Sequence, residues 1–223
     1  MDVVFSCVGA SIDPAPWKGW RSYMDVDVPA NGNLLDAAKR AGVGRFVYVS
    51  CAHDAAMLGL HYVAAHERVV ERLRASGLAW HALRPTGFFS AYAMLFDLAR
   101  RGVAPLFGDG SARTNPIDEA DLADACADAI EGNAPAEQDL GGPEVHTRRE
   151  AVELAFKALG RAPRTVSMPA SAVRAMCWLL RPLLPRTAHI TEFVAHVSTH
   201  ECIAPARGTR TLAQYYAALA AKP

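Results

Sequence analysis

Three short apolar runs alternate with two helical patterns between residues 3 and 85, and this alternation restricts the fold more than any other feature. The runs are VVFSCV (3–8), RFVYVS (45–50) and LAWHALRP (78–85), rich in β-branched and aromatic residues as buried strands are. The helical patterns between them are VPANGNLLDAAKRAGVG (28–44) and YVAAHERVVERLRASG (62–77). They stop at Gly42 and Gly77, as helices typically do at glycine. Strands that alternate with helices form right-handed parallel crossovers. The sequence therefore predicts an α/β fold with a doubly wound, Rossmann-like parallel sheet.

The first apolar run begins only two residues into the chain. Its pattern is typical of a strand buried on both faces, which needs a neighbour on each side. Without one, residues 3–8 would present unpaired backbone groups, and such an edge pairs with other chains. We therefore expect either a cover for this strand or self-association through residues 3–8.

The composition of the chain excludes several classes of function. The chain has 223 residues with 23 Lys and Arg against 23 Asp and Glu, and this zero net charge argues against a main role on nucleic acid or anionic membrane. Five separated cysteines show no metal-ligand spacing, so we expect no metal site and buried thiols in a reducing compartment. The apolar stretch AVRAMCWLLRPLLP is interrupted by Arg174, Arg181 and Pro182 and is too short to span a bilayer. With no signal-peptide pattern, the expected location is cytoplasmic.

The rest of the chain is mostly helical. After a Pro/Trp loop (12–20) and the first crossovers, a helix is expected near 89–101, a short strand at VAPLFG, and helices with capping-box patterns at Asp118, Thr147 and Thr211. We predict a partial nucleotide-binding domain over residues 1–145. Residues 146–223 are predicted to form a smaller helical C-terminal lobe with one strand at RTVSMP.

Ligands of such sheets bind beyond the carboxyl ends of the strands, which here are the segments that end at Gly9, Cys51 and Thr86. A dinucleotide site also needs a glycine-rich turn between a strand and a helix. The nearest match, GDGSAR at Gly108, lacks the third glycine and opens no helix, so it is typical of a surface turn.

Three segments, VDVPANGNLLDAAKRAGVGRFVYVS, YVAAHERVVERLRASGLAWHALRPTGFF and GDGSARTNPIDEADLADA, together resemble one family. It is the atypical and extended short-chain dehydrogenases/reductases, in the NmrA-like and complex-I-associated NAD(P)-binding group. The resemblance covers residues 1 to about 160 and depends on the order and spacing of the motifs. It implies that the first strand corresponds to the family's fourth, and that the N-terminal segment with the glycine-rich loop is absent from this chain.

The resemblance also implies a cofactor, NAD(P)(H), and the residues that contact it. The segment at Cys7, Val8 and Gly9 matches the loop beside the adenosine half, Asn31 matches a helix residue near the active site, and Ser50 ends the next strand. The strand end formed by Arg84, Pro85 and Thr86 matches the part that contacts the nicotinamide half. Because the glycine-rich loop would supply the main anion-binding field, binding by this chain alone is expected to be weak.

Ser50, Tyr62 and His66 fall where the family has its catalytic Ser, Tyr and Lys. In that chemistry the Tyr hydroxyl exchanges a proton with the substrate, and the Lys charge lowers the pKa of the Tyr. Here an imidazole replaces the permanent cation, so its effect on Tyr62 at neutral pH is expected to be weak. The alternatives are that Tyr62 packs, that Ser50 is an ordinary strand-end hydroxyl, and that His66 is an exposed or ribose-facing helix residue.

Three functional hypotheses follow. The chain is part of an NAD(P)H-dependent reductase of a small molecule, or it binds dinucleotide without turnover as a sensor or assembly factor. The third is an interaction module that works through its exposed sheet edge. The first is the main prediction, and its substrate is not indicated by the sequence.

Overall fold

The computed structural model describes residues 2–12 and 21–221, so most of the predicted Pro/Trp loop lies outside the described residues. The strands are β1 (Val3–Ser6), β2 (Arg45–Val49), β3 (Ala79–Pro85), β4 (Ala104–Phe107), β5 (Arg113–Thr114), β6 (Glu137–Leu140), β7 (His146–Thr147) and β8 (Thr165–Met168). The α-helices are α1 (Tyr23–Arg40), α2 (His61–Arg74), α3 (Phe89–Arg100), α4 (Glu119–Glu131), α5 (Arg148–Ala158), α6 (Ala170–Leu180), α7 (Pro185–Thr199) and α8 (Leu212–Ala220), with a 3-10 helix at Ala55–Gly59.

The main sheet has four strands in the order β1-β2-β3-β6. β1 runs parallel to β2, with Val3 opposite Arg45, and β2 runs parallel to β3, with Arg45 opposite Ala79. Helices α1 and α2 make the two crossovers. The predicted α/β fold with a Rossmann-type parallel sheet is confirmed.

The prediction that the first strand is buried on both faces is wrong. In β1 only Ser6 is buried, and Phe5 is 44% exposed. The reason is position, since β1 is an edge strand of the four-stranded sheet formed by the described residues. Self-association through residues 3–8 stays a prediction, because nothing observed tests it.

Helix α1 begins earlier than the apolar spacing indicates. Its N-cap is Ser22, whose hydroxyl accepts from the backbone N–H of Asp25 while the Asp25 carboxylate accepts from the backbone N–H of Ser22. This capping box lies before Pro29, which sits inside the helix and hides the true start from a pattern search. The predicted stop is confirmed, because Gly42 follows the C-cap with a φ of 65°.

The later capping patterns mostly form as predicted. Thr147 and Thr211 both make full capping boxes, at the starts of α5 and α8. Asp118 caps α4 by accepting from the backbone N–H of Ala120 at 2.8 Å. The carboxylate of Asp121 instead accepts from the backbone N–H groups of Thr209 and Arg210, so no reciprocal box forms there.

The chain divides into two compact units. Unit 1 consists of residues 1–84, 125–138 and 173–194, and unit 2 of residues 85–124, 139–172 and 195–223. The core of unit 1 contains Phe46, Tyr48, Val70 and Leu73, contributed by β2 and α2. The core of unit 2 contains Phe89, Phe96, Phe156 and Tyr216, from α3, α5 and α8. The domain boundary that the sequence predicts after residue 145 stays a prediction.

Among the described helices, none is both long and apolar enough to cross a membrane.

The expectation of buried thiols holds for four cysteines, but Cys7 is exposed after the end of β1, so for that residue the prediction is wrong. Cys7 lies beyond Ser6, where the strand has already ended.

Candidate cofactor and active site

Two side chains of α1 hold the backbone that follows β1. The Asn31 amide donates to the carbonyl oxygen of Val8 at 2.9 Å, and its oxygen accepts from the Ser6 hydroxyl at 2.6 Å. One turn earlier, the Asp27 carboxylate accepts from the backbone N–H of Ala10 at 2.7 Å. Both side chains are buried, so this loop is fixed from beneath by hydrogen bonds that are shielded from water.

The outer side of the same loop is open. Cys7, Val8 and Gly9 are exposed, and a Cβ on Gly9 would lie 3.1 Å from the Asp27 carboxylate. Glycine thus lets the backbone approach α1 closely. The loop predicted to lie beside the cofactor is therefore hydrogen-bonded to α1 on one side and exposed to solvent on the other. Asn31, predicted to lie near the active site, makes one of these hydrogen bonds.

Asp27 was missed by the sequence analysis. It is a buried acid, and burial raises its pKa to about 6, although the Ala10 N–H and the charge of Arg186 act in the opposite direction. The Arg186 guanidinium itself donates to the backbone carbonyl of Arg21 at 2.9 Å. Nothing local marks an acid in the middle of a helix as buried; its four-residue spacing to Asn31 was the available signal.

Tyr62 lies in an aromatic cluster. Its ring meets the edge or face of Tyr23 at 5.0 Å, His66 at 4.7 Å and Phe193 at 4.6 Å, measured between ring centroids. Burial raises the pKa of Tyr62 well above 10, so the phenol stays protonated at physiological pH. In the part of the chain that the structure describes, the Tyr62 hydroxyl has no hydrogen-bond partner, and its ring packs while its oxygen remains free.

His66 is buried, which excludes the alternative that it is an exposed helix residue. Its Nδ1 lies 2.6 Å from the hydroxyl of Tyr48, and its Nε2 is buried with no partner among the described residues. Burial lowers the pKa of His66 to about 4, so the imidazole is neutral at pH 7. The residue therefore supplies no positive charge to Tyr62.

Ser50 follows β2 and lies at its carboxyl end. Its backbone N–H donates to the carbonyl of Leu83 at 2.7 Å, which continues the parallel pairing with β3. Its hydroxyl is buried and, within residues 2–12 and 21–221, unpaired. Buried polar atoms almost always have partners, so an unpaired Ser50 hydroxyl and an unpaired His66 Nε2 are a pattern expected where a ligand supplies the missing partner.

The Arg84 side chain is engaged by carboxylates. Its guanidinium donates to Glu67 at 3.0 Å and to Glu137 at 2.6 Å, and Arg74 shares Glu137 at 2.7 Å. These bonds raise the pKa of Arg84 despite its burial. The side chain therefore ties β3 to α2 and β6, and its predicted contact with the nicotinamide half stays a prediction.

Pro85 and Thr86 belong to unit 2. Pro85 is buried, and the Thr86 hydroxyl donates to the backbone carbonyl of Asn115 at 2.7 Å. Their predicted contact with the cofactor also stays a prediction.

A parallel sheet with helical crossovers and an open loop after a strand is the architecture of the Rossmann class of nucleotide-binding proteins. Residues 1–133 match the family described as NAD(P)H-binding. The chain belongs to this NAD(P)H-binding family, and its relatives are of the atypical short-chain dehydrogenase/reductase type that the motifs resemble.

Three similar proteins illustrate this relationship. The chloroplastic divinyl chlorophyllide a 8-vinyl-reductase of Oryza sativa subsp. indica is 33% identical over 74% of this chain and 43% of its own length. The mitochondrial NADH dehydrogenase (ubiquinone) 1 alpha subcomplex subunit 9 of Arabidopsis thaliana is 26% identical over 64% of this chain and 37% of its own. The crystal structure of an NADPH-dependent quinone oxidoreductase from Escherichia coli, complexed with NADPH, aligns with a TM-score of 0.65.

That alignment has 21% identity and covers 86% of this chain and 71% of the Escherichia coli chain, so it supports the fold. The chain spans less than half the length of the curated relatives it matches.

Proposed function

We propose that this chain forms the substrate-side part of an NAD(P)H-dependent reductase whose substrate is a small conjugated molecule, such as an enone or a quinone. The observation that carries the proposal is the position of Tyr62, whose ring packs between Tyr23, His66 and Phe193 while its hydroxyl has no hydrogen-bond partner among the described residues. The names of two similar proteins, a vinyl reductase and a quinone oxidoreductase, support a conjugated acceptor.

The residues that would hold the cofactor fit it in two respects. The loop Cys7–Gly9 is open to solvent and fixed from below by Asp27 and Asn31, so a flat ligand could lie on its backbone. The buried hydroxyl of Ser50 lacks a partner in the described chain and could donate to a bound group. NAD(P)H would supply the hydride for the reduction.

The chain's own residues would handle the proton. A reduction that adds hydride to a conjugated system leaves negative charge on the substrate, and a neutral phenol is a suitable donor to that charge. Tyr62 would donate its hydroxyl proton and regain it from solvent. His66 would act as a buried spacer hydrogen-bonded to Tyr48, because an imidazole with a pKa of about 4 stays neutral throughout.

The test compares two tyrosine variants of the same cluster, in this chain fused to a glycine-rich strand–helix–strand unit of the Rossmann type. Tyr62→Phe should reduce NADPH-dependent turnover of enones and quinones by about 10²–10⁴-fold, as expected for loss of a general acid. Its effect on stability should be small, because no hydrogen bond in the described chain is removed. Unchanged turnover would show that Tyr62 only packs.

Tyr48→Phe is the matched control. It removes a hydroxyl that is bonded to His66, so the free energy of unfolding should fall by about 1–3 kcal/mol, as for a buried group left unpaired. Turnover measured well below the melting temperature should be largely retained. Opposite behaviour of the two variants separates a chemical role from a packing role.

A second function, dinucleotide binding without turnover in a sensor or assembly protein, is favoured by one observation. The neutral His66 stands where the family has a lysine, so the charge that would activate the tyrosine is missing. Saturable NADPH binding by the fused chain without turnover of any acceptor, in the native sequence as well as in Tyr62→Phe, would support this function over the reductase.

A further inference from the structure

The charge of the chain is segregated although its total is zero. No Asp or Glu occurs from residue 154 to residue 191, and this stretch carries six basic residues, namely Lys157, Arg161, Arg164, Arg174, Arg181 and Arg186. Two of the six are engaged within the chain, because Arg186 is buried and Arg181 is paired with Glu192, and the others give the stretch a net positive charge. The expectation drawn from net charge concerns the whole chain and stays a prediction, whereas this stretch has a local positive charge.

Helix α6, in the middle of this stretch, is apolar on both faces. Val173 and Cys177 are buried on its inner side. On its outer side Trp178 is 76% exposed and Leu179 is 69% exposed, and in the turn that follows Leu183 is 78% exposed. A helix that is hydrophobic all round is normally covered on all sides. We call Trp178, Leu179 and Leu183, with the half-exposed Met176, the α6 patch.

The charge exposed on α6 itself is positive. Arg174 is exposed on the helix, whereas Arg181, which follows the helix, is paired with the Glu192 carboxylate at 2.9 Å. Arginine and lysine at the margin of an exposed Trp/Leu surface are the composition of helices that lie in the membrane–water interface. The basic heads can reach lipid phosphates while the apolar side chains enter the acyl boundary.

We propose that the α6 patch binds the surface of an anionic lipid bilayer, with Trp178, Leu179 and Leu183 inserted at the level of the headgroups. The helix lies on the membrane and does not span it, in agreement with the absence of a spanning helix among the described residues. A second copy of the chain is a poorer occupant, because a symmetric contact would bring the exposed Arg174 of both copies into one apolar interface. The inference does not depend on the proposed reductase function.

The experiment measures sedimentation of the full chain with large unilamellar vesicles of phosphatidylcholine, with and without phosphatidylglycerol. The chain should bind the anionic vesicles, bind the neutral ones much more weakly, and lose part of its affinity as salt is raised. Leu179→Glu/Leu183→Glu should weaken binding by at least about tenfold, since it places charges in the acyl boundary. The control Met94→Glu/Val145→Glu changes two exposed apolar residues elsewhere and should bind like the native chain.

A second measurement tests the α6 patch without introducing a charged residue into it. The difference in tryptophan emission between the native chain and Trp178→Phe reports on Trp178, and lipids with a doxyl quencher should reduce it only in anionic vesicles. Absence of sedimentation and quenching with every vesicle would overturn the proposal. Concentration-dependent self-association without vesicle binding, abolished by the patch variant, would also overturn it and would assign the patch to a second copy.

Discussion

Two buried titratable residues, His66 and Asp27, oppose each other over the same pH range. The folded state lowers the pKa of His66 to about 4 from 6.5, so acidification through this range protonates the unfolded chain first and lowers stability. The folded state raises the pKa of Asp27 to about 6 from 3.8. Between these values acidification protonates the folded carboxyl first, so its contribution to stability is present below pH 4 and is lost as pH rises through 6. The two effects partly cancel.

Removing one of these two titratable groups should reveal the effect of the other on stability. Asp27→Asn keeps an acceptor for the Ala10 N–H but no longer gains stability on acidification. Between pH 7 and pH 4.5 the variant should therefore lose about 2 kcal/mol more unfolding free energy than the native chain, measured by urea denaturation. Asp36→Asn, an exposed acid on the same helix, is the control. Native and Asp27→Asn curves that run parallel would contradict the assignment.

At the scale of elements, hydrogen bonds from α1 hold the loop that follows β1 (residues 7–10) in place. Asn31 joins three backbone or side-chain groups, from Ser6, Val8 and Asp27, in a buried position. Loss of these bonds leaves the Ser6 hydroxyl and a carbonyl oxygen without partners. The loop would then lose its support while the sheet itself remains.

Asn31→Ala should lower the free energy of unfolding by about 2–4 kcal/mol, because buried polar groups lose their partners. Hydrogen exchange of the Val8 and Ala10 amides should accelerate more than that of the β2 amides. The matched control is Asn133→Ala, an exposed asparagine bonded at 3.2 Å to Glu131, which should change stability by less than about 0.5 kcal/mol. Equal effects of the two variants would show that Asn31 does not anchor the loop.

The elements that sequence predicts well are those with local signals. The apolar runs and the glycine stops at Gly42 and Gly77 located the strands and crossovers, and Thr147 and Thr211 located two helix starts. The start of α1 was misplaced because the Ser22 capping box precedes an internal proline.

Site contacts depend on residues that are distant in the sequence. The Tyr48–His66 bond joins a strand to a helix 18 residues later, and the Arg84–Glu137 bond spans 53 residues. Hydrophobic periodicity in the sequence does not predict such long-range pairs. The motifs indicated which residues belong near the strand ends, but only the fold shows that His66 is neutral and that the Arg84 guanidinium is already engaged.

At the scale of the whole molecule, each of the two units has its own core. Two exposed features of unit 1, the β1 edge and the α6 patch, could each bind a partner. Self-association through the edge and lipid binding through the patch are separate predictions, because they involve different residues of that unit.

The central claim is that the strand ends of unit 1 hold the cofactor, and amide chemical-shift mapping of the chain during NADPH titration tests it most directly. Binding by this chain alone is predicted to be weak, because the family resemblance implies that the glycine-rich phosphate loop lies outside it, and this method still detects weak binding. The largest shifts should occur at Cys7–Ala10 and at Ser50–Cys51, and adenosine monophosphate alone should reproduce those at Cys7–Ala10. Shifts confined to other parts of the chain, or none at saturating NADPH, would contradict the account.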